Sequence, residues 1–236
     1  MIPPLQLTLD RAHDLSPAVR HLEFVVEGAP VSWQAGQCVT LEVPFEDDVL
    51  QRNYSIACAP RVHAGRRLEL AVAKVPGGQA SVALHALTPG ARLEAGAPCG
   101  YLTRSEPAEP TLWVGTGSGL APLRAMLQEE LARADGPRVG LLFGCRTSRD
   151  ILWADELKAW VRHHPRFQLF VTLSRAEQAW EGRRGYVQAH LAEALAAVRP
   201  SRVFICGLSV MTTSVKDALL AAGFPEAGIQ LEEYDA

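Results

Sequence analysis

The stretch "TLWVGTGSGLAPLRAMLQEELARA", Thr111 to Ala134, decides the fold. A continuous apolar run reads as a buried strand, three alternate glycines follow at Gly115, Gly117 and Gly119, and an amphipathic helix pattern opens around Pro122. Glycines let the backbone turn sharply and approach a ligand closely, and a proline suits the first turn of a helix, where a missing N–H costs little. Free amides at such a helix start favour a phosphate. The loop departs from the full G-x-G-x-x-G spacing, because Leu120 holds the last glycine position and no acidic residue sits at the end of the next strand. A tight strand-to-helix turn is therefore the competing reading. A hydrolase elbow would need glycines two residues either side of Ser118, where Thr116 and Leu120 stand, and a P-loop would need Gly-Lys-Ser/Thr.

Working outward, the same grammar repeats downstream. "VGLLFG" precedes "ILWADELKAWVRHH", "QLFVTLS" precedes "YVQAHLAEALAAV", "RVFICG" precedes "VMTTSVKDALLAAG", and "IQLEEY" closes the series. Continuous apolar strands alternating with helices predict a doubly wound α/β domain with a five-stranded parallel sheet. Upstream, to about Leu102, the apolar residues alternate or form short runs ("LQLTL", "HLEFVV", "CVTLEV", "LELAVAKV") between Gly, Pro and Asp, the rhythm of an antiparallel sheet or barrel. "GGQASVALHAL" reads as a glycine turn entering a short helix, and "RSEPAEP", Arg104 to Pro110, as a linker. The expected class is a two-domain α+β chain, an antiparallel β-barrel over residues 1–106 and the α/β domain over 107–236.

Composition bounds the rest. At 236 residues and 48% hydrophobic the chain can bury a sizeable core, and a formal net charge of -3 offers no general attraction to nucleic acid. No apolar run reaches the roughly 20 residues of a membrane span, and "MIPPLQLTLD" lacks the marks of a signal peptide, so a cytoplasmic location is expected. The five cysteines, Cys38, Cys58, Cys99, Cys145 and Cys206, show no spacing suited to zinc or an iron–sulfur cluster; reduced thiols and no bound metal are expected.

Two further motifs carry chemistry. In "QRNYSIACAP", Gln51 to Pro60, a strand pattern carries Arg52, Tyr54 and Ser55 together. In "VPGGQASVALHAL", Gly77 and Gly78 offer amides at a helix start, Ser81 offers a hydroxyl in its first turn, and Lys74 lies just ahead of the turn. A plain glycine turn with a capping Ser is the other reading of the latter.

Arg52-x-Tyr54-Ser55, Gly77-Gly78-x-x-Ser81, Gly115-Thr116-Gly117-x-Gly119-x-Ala121-Pro122 and Cys206-Gly207-x-x-x-Met211 occur in an order that resembles the ferredoxin–NADP+ reductase superfamily over essentially the whole chain. The resemblance implies a flavin-binding barrel, holding FAD rather than FMN, joined to a nicotinamide-dinucleotide domain, with hydride passing between the two rings at the cleft. It implies that Arg52 clamps the flavin's phosphate, that Tyr54 lies along the isoalloxazine or ribityl, and that Ser55 hydrogen-bonds near N5. Hydride transfer requires the rings to be held roughly 3–3.5 Å apart with water excluded, which explains the absence of an obvious catalytic triad. Thr116 and the "CGLSVM" loop, with Gly207 and Met211, are implied to flank the nicotinamide, and Cys206 to lie near the ring contact; a buried apolar cysteine is the alternative for the last.

Coenzyme choice is read from "LSRAEQAWEGRRGYVQ". Ser174 and Arg175 stand where NADP-dependent relatives place groups for the 2′-phosphate, and Tyr186 resembles the aromatic that stacks on adenine, so NADPH is expected ahead of NADH. Arg183 and Arg184 are also near, or are surface charges. Tyr234 is implied to stack on the flavin and gate nicotinamide, or else to pack in the domain interface; here Asp235 and Ala236 follow it. Ser55, Cys206 and Tyr234 are thus the expected catalytic group. The four closely placed cysteines of the iron–sulfur domain that many relatives carry are absent from these residues, so electrons are expected to pass to a separate carrier such as a ferredoxin or flavodoxin, or to an oxygenase component. Arg61, Arg66 and Arg67 could steer an acidic partner, or are a solvated face. A reductase that releases flavin as product and an electron-transfer subunit of a larger complex are the alternative functions.

Overall fold

The computed structural model describes residues 3–104 and 108–234. In the first half β1 (Leu5–Ser16), β2 (Val19–Val26), β3 (Cys38–Phe45), β4 (Asp48–Ser55), β5 (Arg67–Ala73) and β6 (Arg92–Ala95) form one antiparallel sheet in the order β4-β3-β6-β1-β2-β5. An isolated bridge between Ile56 and Leu70 brings the two edges together and closes the sheet into a barrel. Alternation decides what faces in: Leu7, Leu9, Leu22, Phe24, Val39 and Leu41 are fully or nearly fully buried, as period-two patterning requires. Short helices α1 (Pro60–His63) and α2 (Gln79–Ala86) interrupt the strands, the latter where the glycine turn was expected.

The second half holds β7 (Thr111–Thr116), α3 (Leu120–Leu131), β8 (Val139–Cys145), α4 (Ala154–His163), β9 (Phe167–Leu173), β10 (Arg183–Arg184), α5 (Leu191–Val198), β11 (Arg202–Leu208), α6 (Ser209–Ala221) and β12 (Ile229–Tyr234). All of its strands run parallel, in the order β10-β9-β8-β7-β11-β12. The five expected strands are present, and a sixth is added at one edge by the two residues of β10, too short to leave a periodic signal. The order reverses between β7 and β11, and the carboxyl ends at such a switch point form a crevice suited to a ligand.

The glycines of the opening stretch are shaped first by packing. A Cβ on Gly119 would lie 2.3 Å from the Cys206 carbonyl oxygen, and one on Gly207 would lie 2.6 Å from both Met211 Cε and Thr116 Oγ1. Gly117 differs, with φ +53 and open space where its Cβ would be. Backbone contact between the loop and the end of β11 therefore demands Gly119, and a left-handed conformation favours Gly117.

The expected boundary at Glu106/Pro107 lies outside the described residues, but both flanks are anchored: Arg104 donates to Glu130 of α3 and, at 3.0 Å, to the Glu109 carbonyl. Barrel residues Val19, Ala57, Ala71 and Leu102 share one core with Trp113, Leu120, Leu123 and Met126. A buried ionic clasp crosses the same interface. Arg124 Nη1 donates to the Ala57 carbonyl and to Glu69 Oε2, both at 2.7 Å, while its Nε donates to Glu156 Oε2 at 2.6 Å and its guanidinium lies 4.6 Å from the centre of the Trp153 ring. Gln128, one turn on, accepts from the Ala59 amide at 2.8 Å. Burial alone would raise the Glu69 carboxyl, but the His21 imidazole, the Arg124 charge and the His63 hydrogen bond together hold it well below the usual carboxylate range.

Three outcomes follow. Arg124→Ala removes the buried charge shared by two carboxylates and lowers unfolding stability by about 3–5 kcal/mol, read from urea denaturation; a loss under ~1 kcal/mol, the scale of a surface pair, contradicts the clasp. Because the folded Glu69 carboxyl is depressed, its stabilisation is present in full above the unfolded carboxylate pKa of about 4.3, declines as pH falls below that value and is gone once pH has fallen through the lower folded one. The wild-type midpoint should accordingly fall more than that of Glu69→Gln between neutral pH and pH ~3.5. Gly119→Ala, forced onto a backbone carbonyl, should destabilise by about 1–3 kcal/mol, whereas Gly185→Ala, with open space but φ +102, tests strain without a clash.

Candidate functional site

Ser55 is the last residue of β4, and the barrel presents it to the carboxyl ends of the parallel strands. Its hydroxyl lies 2.7 Å from the Tyr234 hydroxyl and donates to Glu232 Oε1 at 3.3 Å. Register explains the company: Cys206 pairs with Gly115 on one side and Glu232 on the other, and Leu208 pairs with Tyr234. Four side chains, Ser55, Cys206, Glu232 and Tyr234, therefore meet where the barrel faces the switch point. The structure brings together the three expected catalytic residues and adds Glu232, which the sequence reading missed. A signal existed: in "IQLEEY" Glu232 and Tyr234 are two apart and share a strand face, so one cannot face the interface without the other.

Burial sets the electrostatics of this cluster. It raises the Glu232 carboxyl, against the lowering influence of the Ser55 and Tyr234 hydroxyls. It pushes the Cys206 thiol up, and it carries the Tyr234 phenol well above its ordinary range with the help of Cys206 and Glu232. Cys206 is fully buried, and burial disfavours the thiolate that a nucleophile would need. Tyr234 packs at the domain interface with its hydroxyl on Ser55. Thr116 borders the cluster, close to Gly207, and Met211 covers Gly207 from α6.

Further along the barrel wall, Arg52 is exposed and its Nη1 donates to the Gln51 carbonyl at 2.7 Å; it has no carboxylate partner among the described residues. Tyr54, on the opposite face of β4 from Arg52's neighbours Gln51 and Asn53, is half-buried against the barrel core, and burial raises its phenol. Lys74 is exposed, and its amide is tied to the Ala18 carbonyl at 2.7 Å. Gly77 has φ +74 with nothing where its Cβ would be, and Gly78 caps α2. The Gly78 amide itself donates to the Val75 carbonyl at 2.9 Å, and the first turn of α2 beyond it offers the amides that a helix start leaves without intrahelical partners, beside open space at Gly77. The Ser81 hydroxyl, expected to face a phosphate, instead donates to the Gly78 carbonyl at 2.9 Å and accepts from the Val75 amide at 3.1 Å, so it shapes the turn. An exposed arginine with free donors, an open glycine turn at a helix start and a half-buried tyrosine fit a diphosphate attached to a flat aromatic ring.

The remaining cations sort themselves by partner. Arg183 forms a two-point contact with Glu193 at 2.8 and 2.5 Å and lies 4.9 Å from the Phe170 ring centre, while Arg184 donates to the carbonyls of Ala176, Glu177, Gln178 and Trp180. Both are therefore committed to the fold. Arg175 is exposed, without a side-chain partner among the described residues, and its amide donates to the Arg146 carbonyl at 2.8 Å, which sets a second exposed arginine on the adjoining loop. Ser174 Oγ contacts the Cys145 carbonyl at 3.4 Å, and Tyr186 is 74% exposed at the same rim. Of the three arginines proposed to steer a partner, Arg61 contacts Glu129 and the Gln128 carbonyl and Arg67 contacts Asp10, leaving Arg66 as the exposed one without a carboxylate among the described residues.

Known proteins match both halves of the chain. Family models for an oxidoreductase FAD-binding domain and an oxidoreductase NAD-binding domain match residues 6–103 and 113–217. Ferredoxin--NADP reductase B of Sorangium cellulosum is 42% identical over 242 aligned positions, covering 98% of either chain. The anthranilate 1,2-dioxygenase electron transfer component of Acinetobacter baylyi is 25% identical over 92% of this chain, which spans 62% of that protein. The Amycolatopsis cytochrome P450 reductase GcoB superposes with a TM-score of 0.89 at 26% identity, covering 99% of this chain and 70% of that one. A ferredoxin NADP+ reductase from Neisseria gonorrhoeae with bound FAD and NADP shares the fold, with a TM-score of 0.84 at 19% identity and 97% coverage of each chain. With both domain families matched in order and a relative of this identity aligned end to end, the chain belongs to the ferredoxin–NADP+ reductase superfamily and is a flavin-dependent NAD(P)H oxidoreductase that passes electrons to an acceptor.

Proposed function

We propose that the chain takes hydride from NADPH onto FAD held by the barrel and delivers the electrons to a separate carrier, a ferredoxin or flavodoxin, in the cytoplasm, with the domains dividing at 106/107. The observation that carries this reading is the meeting of Ser55 with Cys206, Glu232 and Tyr234 at the switch point. FAD, when bound, supplies a two-electron acceptor for hydride and can release those electrons singly. Arg52, Lys74 and the amides around Gly77, Gly78 and Ser81 hold its diphosphate, and Tyr54 supports the ring system. The loop Gly115, Thr116, Gly117 and Gly119, with Gly207 and Met211, seats the nicotinamide end of the coenzyme.

Catalysis in this reading comes from positioning and from one proton. Cys206 and Tyr234 exclude water, Tyr234 by occupying the interface and orienting the Ser55 hydroxyl. Glu232, whose raised pKa keeps its carboxyl protonated to higher pH than usual, holds a proton that Ser55 Oγ can relay. Arg175, joined by Arg146 and flanked by Ser174, supplies charge for a 2′-phosphate, and Tyr186 offers a face for adenine. The full length covered in Ferredoxin--NADP reductase B supports a soluble carrier as acceptor ahead of an oxygenase component.

An anaerobic titration of the purified chain tests the whole reading: a yellow protein should bleach with NADPH and less readily with NADH. A colourless protein that oxidises NADPH only after flavin is added would mean that flavin is a substrate. Arg175→Asp should lower kcat/KM for NADPH by about 10- to 100-fold and leave NADH nearly unaffected; an unchanged ratio removes the coenzyme assignment. Glu232→Gln should slow flavin reduction or reoxidation by about 100-fold. In the wild type that rate should decline as pH rises through the elevated carboxyl pKa, and the variant's profile should lack this limb; retention of the limb places the proton elsewhere.

A further inference from the structure

Cys38 opens β3, and Cys99 lies beyond β6 on the segment leading to the linker. They form an isolated antiparallel bridge in which the Cys38 amide donates to the Cys99 carbonyl at 2.8 Å and the Cys99 amide to the Cys38 carbonyl at 2.9 Å. A pair that exchanges both bonds holds its α-carbons about 5.5 Å apart, inside the span a disulfide requires. The two Sγ atoms are 3.8 Å apart, and both thiols are free. Shortening that gap to a sulfur–sulfur bond asks for a movement of roughly 1.8 Å, within the reach of side-chain adjustment. Gly100, next to Cys99, has φ +116, a left-handed conformation, and a Cβ there would lie 3.7 Å from the Cys38 Sγ.

The two thiols are unequal. Cys99 is exposed, whereas Cys38 is half-buried and its thiol is pushed up to about 12 by burial, with Cys99 adding to the effect. Cys38 is also the cross-strand partner of Ser55. Neither cysteine has a part in the site chemistry described above.

We propose that Cys38 and Cys99 are a reversibly oxidisable dithiol that responds to hydrogen peroxide, and that its closure slows turnover by restraining the barrel wall beside Ser55. The Cys99 sulfur attacks peroxide, forming an S–O bond as the O–O bond breaks and releasing water. The Cys38 sulfur then attacks the resulting sulfenic sulfur, forming the S–S bond and releasing a second water. Two thiols lose two electrons and two protons in all, and peroxide is reduced to two waters. In a reducing compartment such a bond is transient and is reopened by thiol exchange through the exposed Cys99 sulfur. The dithiol chemistry is independent of the proposed function; only the effect on turnover rests on it, so the two are read separately.

The test is to expose the folded protein to hydrogen peroxide, alkylate under denaturing conditions and map the peptides. The expected result is a Cys38–Cys99-linked peptide, a loss of two alkylatable thiols, a mass lower by two hydrogens, and a loss of turnover that dithiothreitol restores. Cys99→Ser, a change at an exposed position that should fold normally, should yield no linked peptide and keep its turnover under peroxide. Sulfinic or sulfonic acid at Cys99 with Cys38 still alkylatable overturns the dithiol. A linked peptide without any change in turnover overturns the regulatory half, while absence of flavin reduction in the untreated protein counts against the proposed function and leaves the peptide result standing.

Discussion

The structure depends on one buried guanidinium. Arg124 is 8% exposed, yet it reaches a carbonyl and a carboxylate of the barrel and a second carboxylate on α4. Such a clasp need not stabilise more than a well-packed apolar core would, because taking its charges out of water is costly. What it fixes is direction. Ala57 stands two residues after Ser55, and Arg124 stands in the helix that the glycine loop opens, so the clasp sets the distance between the two halves of the site. A slip at this contact would separate Ser55 from the ends of β11 and β12 while leaving each domain's own core intact.

Burial favours the uncharged forms throughout the site cluster. A carboxyl, a phenol and a thiol all have their uncharged forms favoured by burial, and the one hydroxyl among them joins the phenol to the carboxyl. Such a setting suits the movement of a hydride, which needs no charged nucleophile, better than it suits acyl or phosphoryl transfer, which need charge concentrated on an attacking or leaving atom. Cations gather at a different place, on the loops after β8 and β9, where Arg146 and Arg175 stand exposed. The buried cluster and the exposed cations thus lie at the ends of different strands of the one parallel sheet.

Much of this was legible in the sequence, and the reasons are local. The parallel strands are continuous apolar runs, the barrel strands alternate, and the glycine loop sits at its strand-to-helix junction; each leaves a short-range pattern. The polar contacts that join distant segments leave none. Nothing in "RLELAVA" marks Glu69 as the partner of an arginine 55 positions later, and nothing in "GRRGY" distinguishes the two arginines that bind their own loop and its helix from Arg175, which has no side-chain partner among the described residues. Ser81 shows the same limit at close range, since a hydroxyl in a first helical turn serves equally a ligand or the turn, and here it serves the turn. Glu232 was the readable omission, because its strand face was already assigned to Tyr234.

Strand β12 lies at the edge of the parallel sheet and is paired on one side only, to β11. An edge strand opens at a smaller free-energy cost than the strands inside the sheet. Glu232 and Tyr234 both ride on it, so the two side chains that the Ser55 hydroxyl contacts arrive and depart as a unit. The integrity of the Ser55 cluster is thereby tied to the local opening equilibrium of six residues rather than to the unfolding of the chain.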